Sequence, residues 1–235
     1  MSVKTILFDL DGTLLPMDQD VFSKAYISAI AKKLEPFGFD SKTVFSGVWH
    51  SVEAMVRNDG SKTNEDAFWL SFANSVGDAV LDHKGLFDEF YQTDFPKISA
   101  VCGYTEKAKT LIDMLNAKGY RLILATNPLF PAVATHCRIG WAGLQTDDFE
   151  YITSYENSYY CKPNPKYYTE ILEKLQIDPT ECLMVGNDVR EDMITEALGM
   201  KVFLLTDCLI NKDNKDISQY PHGSFEELTE YINPL

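Results

Sequence analysis

Short apolar runs alternate with longer amphipathic stretches along most of this chain, and nearly every run stops at a polar or glycine-bearing cluster. Four or five consecutive apolar positions between turn signals suit a strand covered on both faces. Strands are therefore predicted at residues 5–8, 121–125, 149–153, 182–185 and 201–205. Helical periodicity fills the gaps: residues 104–118 close at Gly119, residues 165–175 follow a proline pair, and residues 188–198 close at Gly199. This alternation predicts an α/β fold, a doubly wound and mostly parallel sheet with a Rossmann-like core.

One region breaks the pattern. Residues 17–98 show helical spacing and no strand, with helices expected at 21–34, 44–56, 64–76 and 86–95. A polar turn over residues 56–66 contains Gly60, and either Thr63 or Asn64 is placed to cap the next helix. The expected organisation is a catalytic core from residues 1–16 and 99–235, with a helical domain of residues 17–98 inserted after the first strand. Pro16 and Cys102-Gly103 would form the crossings. The tail from residue 207 reads as loop until Ser224 caps a last helix at 225–232.

Composition narrows the function classes. With 235 residues and a formal charge of -14, the chain lacks the clustered cations that a nucleic-acid backbone requires. No uninterrupted run of 18 apolar residues and no charged-then-apolar leader is present, so neither a membrane nor secretion is expected and a cytoplasmic location is. The five scattered cysteines show no paired spacing and read as reduced thiols, and the four histidines show no metal-ligand spacing. Nothing in the chain specifies an oligomeric state.

In a parallel sheet the strand ends lie along one edge, where ligands bind. Here those ends carry Asp9 and Asp11, then Thr126 and Asn127, then Lys162 downstream of the third strand, then Asn187 and Asp188. Two carboxylates one residue apart repel each other unless a cation lies between them, and carboxylate oxygens are the hard donors that magnesium prefers. Taken singly, each group has a plain structural reading: Asp-Gly as a turn, Lys162 as a surface lysine, Asp188 and Asp192 as charges at a helix N-terminus.

Together the residues resemble the haloacid dehalogenase superfamily of phosphotransferases. Its D-x-D-G-T motif is matched by Asp9-Leu10-Asp11-Gly12-Thr13, its second motif by Thr126 in LILATN, its third by Lys162 in CKPNP, and its acidic fourth by MVGNDVRED with Asp188 and Asp192. The helical insertion looks like that family's small C1-type cap. The resemblance implies that Asp9 attacks phosphorus to form an aspartyl-phosphate and that Asp11 serves as general acid and then base. Thr126 and Lys162 would hold the phosphoryl oxygens, Gly12, Thr13 and Asn127 would face the substrate, and Gly12 would allow a tight turn. It also implies Mg2+, held by the Asp9 carboxylate, the Asp11 main-chain carbonyl and the Asp188 carboxylate. The fourth motif departs from its commonest form, since Asn187 stands where an Asp usually follows the glycine. Asn187 is therefore assigned a contact one layer behind the metal, and Asp192 the orientation of Lys162 or of a metal-bound water.

The implied activity is a magnesium-dependent phosphomonoesterase acting on a small phosphorylated metabolite. Other reactions of the same family remain open, namely a sugar phosphomutase, a phosphonatase or a dehalogenase, although dehalogenases generally lack the second Asp of the motif. A catalytically retired binding or regulatory module is the alternative from another class, with Asn187 as its one supporting feature. Selectivity is expected in the cap, around the turn from Arg57 to Asn64.

Overall fold

The structure, a computed structural model, describes residues 2–234; Met1 and Leu235, the ends of the expected core, lie outside the described residues. Six parallel strands form one sheet: β1 (Thr5–Phe8), β2 (Arg121–Leu124), β3 (Tyr151–Ile152), β4 (Cys182–Gly186), β5 (Lys201–Leu205) and β6 (His222–Gly223). They lie in the order β3-β2-β1-β4-β5-β6. In register, Phe8 pairs with Leu124 on one side and Val185 on the other, so three strands end level with one another.

Strand alternation splits the apolar residues between two faces. Ile6, Phe8, Leu122, Leu124, Leu183 and Val185 belong to one buried cluster, while Leu7, Ile123, Cys182 and Met184 belong to another. The first is covered by α5 (Glu106–Ala117), α6 (Ala132–Trp141) and α8 (Phe225–Ile232), and the second by α7 (Pro165–Leu175). Because both faces are covered, the central strands are apolar throughout, as their sequence pattern requires.

Between β1 and α5 the chain builds α1 (Gln19–Leu34), α2 (Ser41–Val56), α3 (Asn64–Val76) and α4 (Lys84–Thr93). Side-chain oxygens start three of them: Asp18 caps α1, Asp40 caps α2 and Thr63 caps α3. The module leaves and returns at one place, where Met17 bridges Cys102 and Gly103 N donates to Pro16 O at 2.7 Å. Aromatic rings seat it on the sheet domain: Tyr26 meets Phe130 at 5.0 Å between centroids, and Phe95 stacks on Trp141 at 5.1 Å. Such pairs add roughly 0.5–1.5 kcal/mol each beyond area burial. A polar seam reinforces them. The first N–H groups of a helix have no partner of their own, and in α3 Asn64 N donates to Ser158 O and Glu65 N to Tyr155 O, both at 2.9 Å.

Four expectations need correction. Residues 188–198 are not an α-helix but a turn followed by a 3-10 segment, Met193–Leu198. The Asp188 side chain accepts from the N–H groups of Arg190 and Glu191 as a helix cap would, and Asp192 N donates to Asp188 O at 3.0 Å, but the next bond, Thr195 N to Asp192 O, spans three residues, so the helical start passes into a 3-10 segment. Helix α6 was not expected, because Val133, Thr135 and Gly140 dilute its propensity and a charged residue, Arg138, sits in its buried stripe. The tail is not all loop before Ser224, since β6 adds to the sheet edge beside β5. Strand β3 is shorter than expected, although Glu150 N and Thr153 N still donate to the β2 carbonyls of Leu122 and Leu124 on either side of it.

Candidate active site

The loop after β1 places two acids in different settings. Leu10 continues the alternation into the core and is fully buried, leaving Asp9 and Asp11 on the other side. Gly12 then adopts φ +88°, and a Cβ there would overlap the Asn187 amide nitrogen. Only glycine admits both the left-handed backbone and that approach. The Thr13 hydroxyl lies 3.2 Å from Asp9 Oδ2 and 3.2 Å from Asn187 Oδ1, so it braces the loop against β4.

Strand β2 delivers Thr126 and Asn127. The Thr126 carbonyl accepts from Thr153 Oγ1 at 2.7 Å and from the Tyr167 hydroxyl at 2.8 Å, which fixes the strand end. Asn127 Oδ1 accepts from the Lys162 main-chain N–H at 3.3 Å, while its Nδ2 donates to Glu191 Oε2 at 3.0 Å. Lys162 precedes a cis proline, Pro163, and the N-terminus of α7.

Lys162 is the electrostatic centre. Its Nζ donates to Asp9 Oδ1 at 2.9 Å and to Asp192 Oδ1 at 2.7 Å, and the side chain is 1% exposed. Burial alone would drive the ammonium down, but Asp192 and Asp9 outweigh it and hold it well above the ordinary lysine range. Asp9 itself is pushed up to about 7, mainly by burial, against the pull of Lys162. The Tyr168 hydroxyl also donates to Asp192, at 3.2 Å, so the lysine and the tyrosine share one carboxylate oxygen. Asn187 Nδ2 donates to Cys208 O at 2.7 Å, which ties β4 to the loop after β5.

A cavity of about 120 Å³ opens over these groups, between the strand ends and the start of α1. Asp9, Asp11, Thr126, Asn127, Asn187, Asp188 and Asp192 all line it, so the structure gathers the motif residues in one place. Gln19, Phe22 and Ser23 close it from the helical module. Against ligand pockets of roughly 300–1,000 Å³ this is small, with room for a compact anion and little more. Gly12, Thr13 and Lys162 stand behind the lining residues rather than among them.

Two residues at the site were not singled out in the sequence, although Glu191 lies within the fourth motif. Glu191 lines the cavity, and burial pushes its carboxyl up to about 7. Arg138 on α6 is fully buried and forms an ion pair with Asp11 Oδ2. Its spacing from Ala134 and Ile139 was the available sign, a single cation within a helical apolar stripe.

The donors suit magnesium. Five cavity carboxylates (Asp9, Asp11, Asp188, Glu191 and Asp192) face two cations, Lys162 and Arg138, and Asp11 Oδ1 is buried with no hydrogen-bond partner among the described residues. Among the described residues no group of three His, Cys, Asp or Glu forms a ready metal cluster. Magnesium needs none, since it binds through one or two carboxylates and keeps waters and substrate oxygens for the rest.

Residues 3–195 match the sequence profile of the haloacid dehalogenase-like hydrolases. The chain belongs to that family. A phosphoglycolate phosphatase of Vibrio vulnificus is 29% identical over 208 residues, covering 87% of this chain and 84% of its own. Another phosphoglycolate phosphatase, from Nitrosospira multiformis, is 25% identical over 206 residues, covering 86% and 83%. Among solved structures, the haloacid dehalogenase-type phosphatase of Thermococcus onnurineus superposes with a TM-score of 0.61 at 17% identity, covering 98% of each chain, a likeness of fold. No helix among the described residues is long and apolar enough to cross a membrane.

Proposed function

We propose that this hydrolase is a magnesium-dependent phosphomonoesterase acting on a small phosphorylated metabolite. The observation that carries the reading is the Asp9–Lys162–Asp192 chain of charge, with Asp11 two residues beyond the nucleophile at the same cavity. In the first step an Asp9 oxygen bonds to phosphorus as the ester oxygen departs, and Asp11 supplies the departing oxygen with its proton. In the second, Asp11 takes a proton from water, which attacks phosphorus and frees Asp9. Lys162 has three N–H donors, and Asp9 and Asp192 engage two of them. The third N–H, with the Thr126 hydroxyl, serves the phosphoryl oxygens. Asp9, the Asp11 carbonyl and Asp188 would hold magnesium, with Asn187 behind them, and the ion when bound supplies positive charge to the phosphoryl group.

Residues 17–98 act in this scheme as the cap, with Gln19, Phe22 and Ser23 restricting the space beside the reacting group. The small cavity favours a short substrate. The curated relatives named above make phosphoglycolate the first compound to try. Phosphate release should be measured from a panel of phosphorylated metabolites with magnesium and with a chelator, beside Asp9→Asn. Turnover that needs magnesium and vanishes in the variant supports the reading; equal release by both proteins, or indifference to the chelator, overturns it.

A further inference from the structure

Among the described residues Arg138 is the largest fully buried side chain, and it reaches the site from a helix that carries none of the motifs. Its Nη1 pairs with Asp11 Oδ2, its Nη2 lies 3.3 Å from Thr135 Oγ1, and its Nε lies 3.4 Å from Ala134 O. The guanidinium stacks over the Phe130 ring, 4.4 Å from its centroid, and Phe130 is itself a wall of the cavity. Burying a guanidinium is costly unless its fork is satisfied. Here helix α6, one ring and one carboxylate share it.

The consequence falls on Asp11, whose two oxygens are made unequal. Oδ2 is held by Arg138, whereas Oδ1 is buried with no hydrogen-bond partner among the described residues. We infer that Arg138 is a positioning residue that clamps Asp11 so that Oδ1 is the oxygen that exchanges the proton with the leaving group. This rests on the phosphomonoesterase reading. As the Asp9 oxygen bonds to phosphorus and the ester P–O bond breaks, the Oδ1 proton passes to the departing oxygen. The alcohol then leaves neutral, and Asp11 is left as a carboxylate whose Oδ2 is still on the guanidinium. Arg138 touches neither phosphorus nor the alcohol. The Nη1 contact engages one carboxylate oxygen, and the bonds of Nη2 to Thr135 and of Nε to Ala134 hold that nitrogen in place, a brace that a lysine ammonium could not reproduce.

A leaving-group comparison tests this. An alkyl phosphate expels a strongly basic alkoxide and needs the proton, while p-nitrophenyl phosphate expels a stable phenolate and hardly does. The ratio of kcat/KM for the two esters, which reports steps up to departure of the first product, isolates proton donation from general damage. Arg138→Gln is expected to lower kcat/KM on the alkyl ester about 100-fold and on the aryl ester less than about 5-fold, the size and selectivity of losing a general acid. Arg138→Lys should fall between, near 10-fold on the alkyl ester, and it carries the same comparison if the Gln variant fails to fold. In an Asp11→Asn background, Arg138→Gln should cost nothing further on the alkyl ester. Parallel losses on both esters, or an undiminished effect in that background, overturn the inference. Absence of turnover of both esters by the unmodified protein overturns the phosphomonoesterase reading instead.

Discussion

Asp192 holds the Lys162 ammonium at 2.7 Å, and both side chains are 1% exposed. A buried ion pair of this kind is weak evidence for stability as a pair, but removing one member leaves the other uncompensated. Lys162→Met should therefore lower unfolding free energy by about 3–5 kcal/mol in a urea titration, because it strands both Asp9 and Asp192. Adding Asp192→Asn to it should recover part of that loss. Phosphatase turnover should fall by at least about 100-fold in either background, since the donor proposed for the phosphoryl oxygens is gone.

Glu191 gives a pH signature. Burial raises its carboxyl from 4.5 to about 7, so the folded chain keeps a proton that the unfolded chain has released. That contribution to stability is full below about 4.5 and is lost as pH rises through about 7. In metal-free protein, the fall in Tm between pH 5 and pH 8 should be steeper in the unmodified chain than in Glu191→Gln, which keeps an acceptor for Asn127. Identical slopes would contradict the assignment.

Gly12→Ala imposes two separate penalties. The left-handed backbone costs roughly 1–2 kcal/mol for a residue with a Cβ, and the new Cβ meets the Asn187 amide. Combining it with Asn187→Ala should relieve the second penalty and leave the first. Chemical denaturation of the two single variants and the double variant would show a combined loss smaller than the sum.

Asn64 is fully buried between the helical module and the loop that leads to Lys162. Its Nδ2 lies 3.2 Å from Tyr160 O and 3.3 Å from Cys161 Sγ, and its Oδ1 accepts from Asn58 at 2.9 Å. Asn64→Leu leaves those groups unmatched, at about 1–3 kcal/mol for buried polar atoms. Turnover should drop together with Tm, because the bond that is lost is two residues from Lys162. A variant with lowered Tm and unchanged kcat would show that the loop holds its shape without this contact.

Much of the molecule was legible because its chemistry is local. The bounds of β1, β5, α3, α7 and α8 follow from apolar runs and capping residues, and parallel strand ends bring Asp9, Thr126 and Asn187 together by topology alone. Where a helical start is not continued, periodicity misleads. The 188–198 segment reads as helical, and Asp188 caps it as a helix would be capped, yet from Thr195 its bonds tighten to three-residue spans. Arg138 was invisible for another reason: nothing in α6 announces a catalytic neighbour, and its partner Asp11 lies 127 residues earlier. Asn64 likewise reads as half of a capping choice, when its larger effect is to join two parts of the chain.

The paired crossings at Pro16 and Gly103 set how the helical module can move relative to the sheet. Two separate tethers would permit twisting, sliding and lifting in any combination. Tethers hydrogen-bonded side by side behave as a single ribbon, stiff to stretching and soft to torsion. The module is also held where α3 meets residues 155–161, so any widening of the cavity at Gln19, Phe22 and Ser23 has to act against those hydrogen bonds and the aromatic seat.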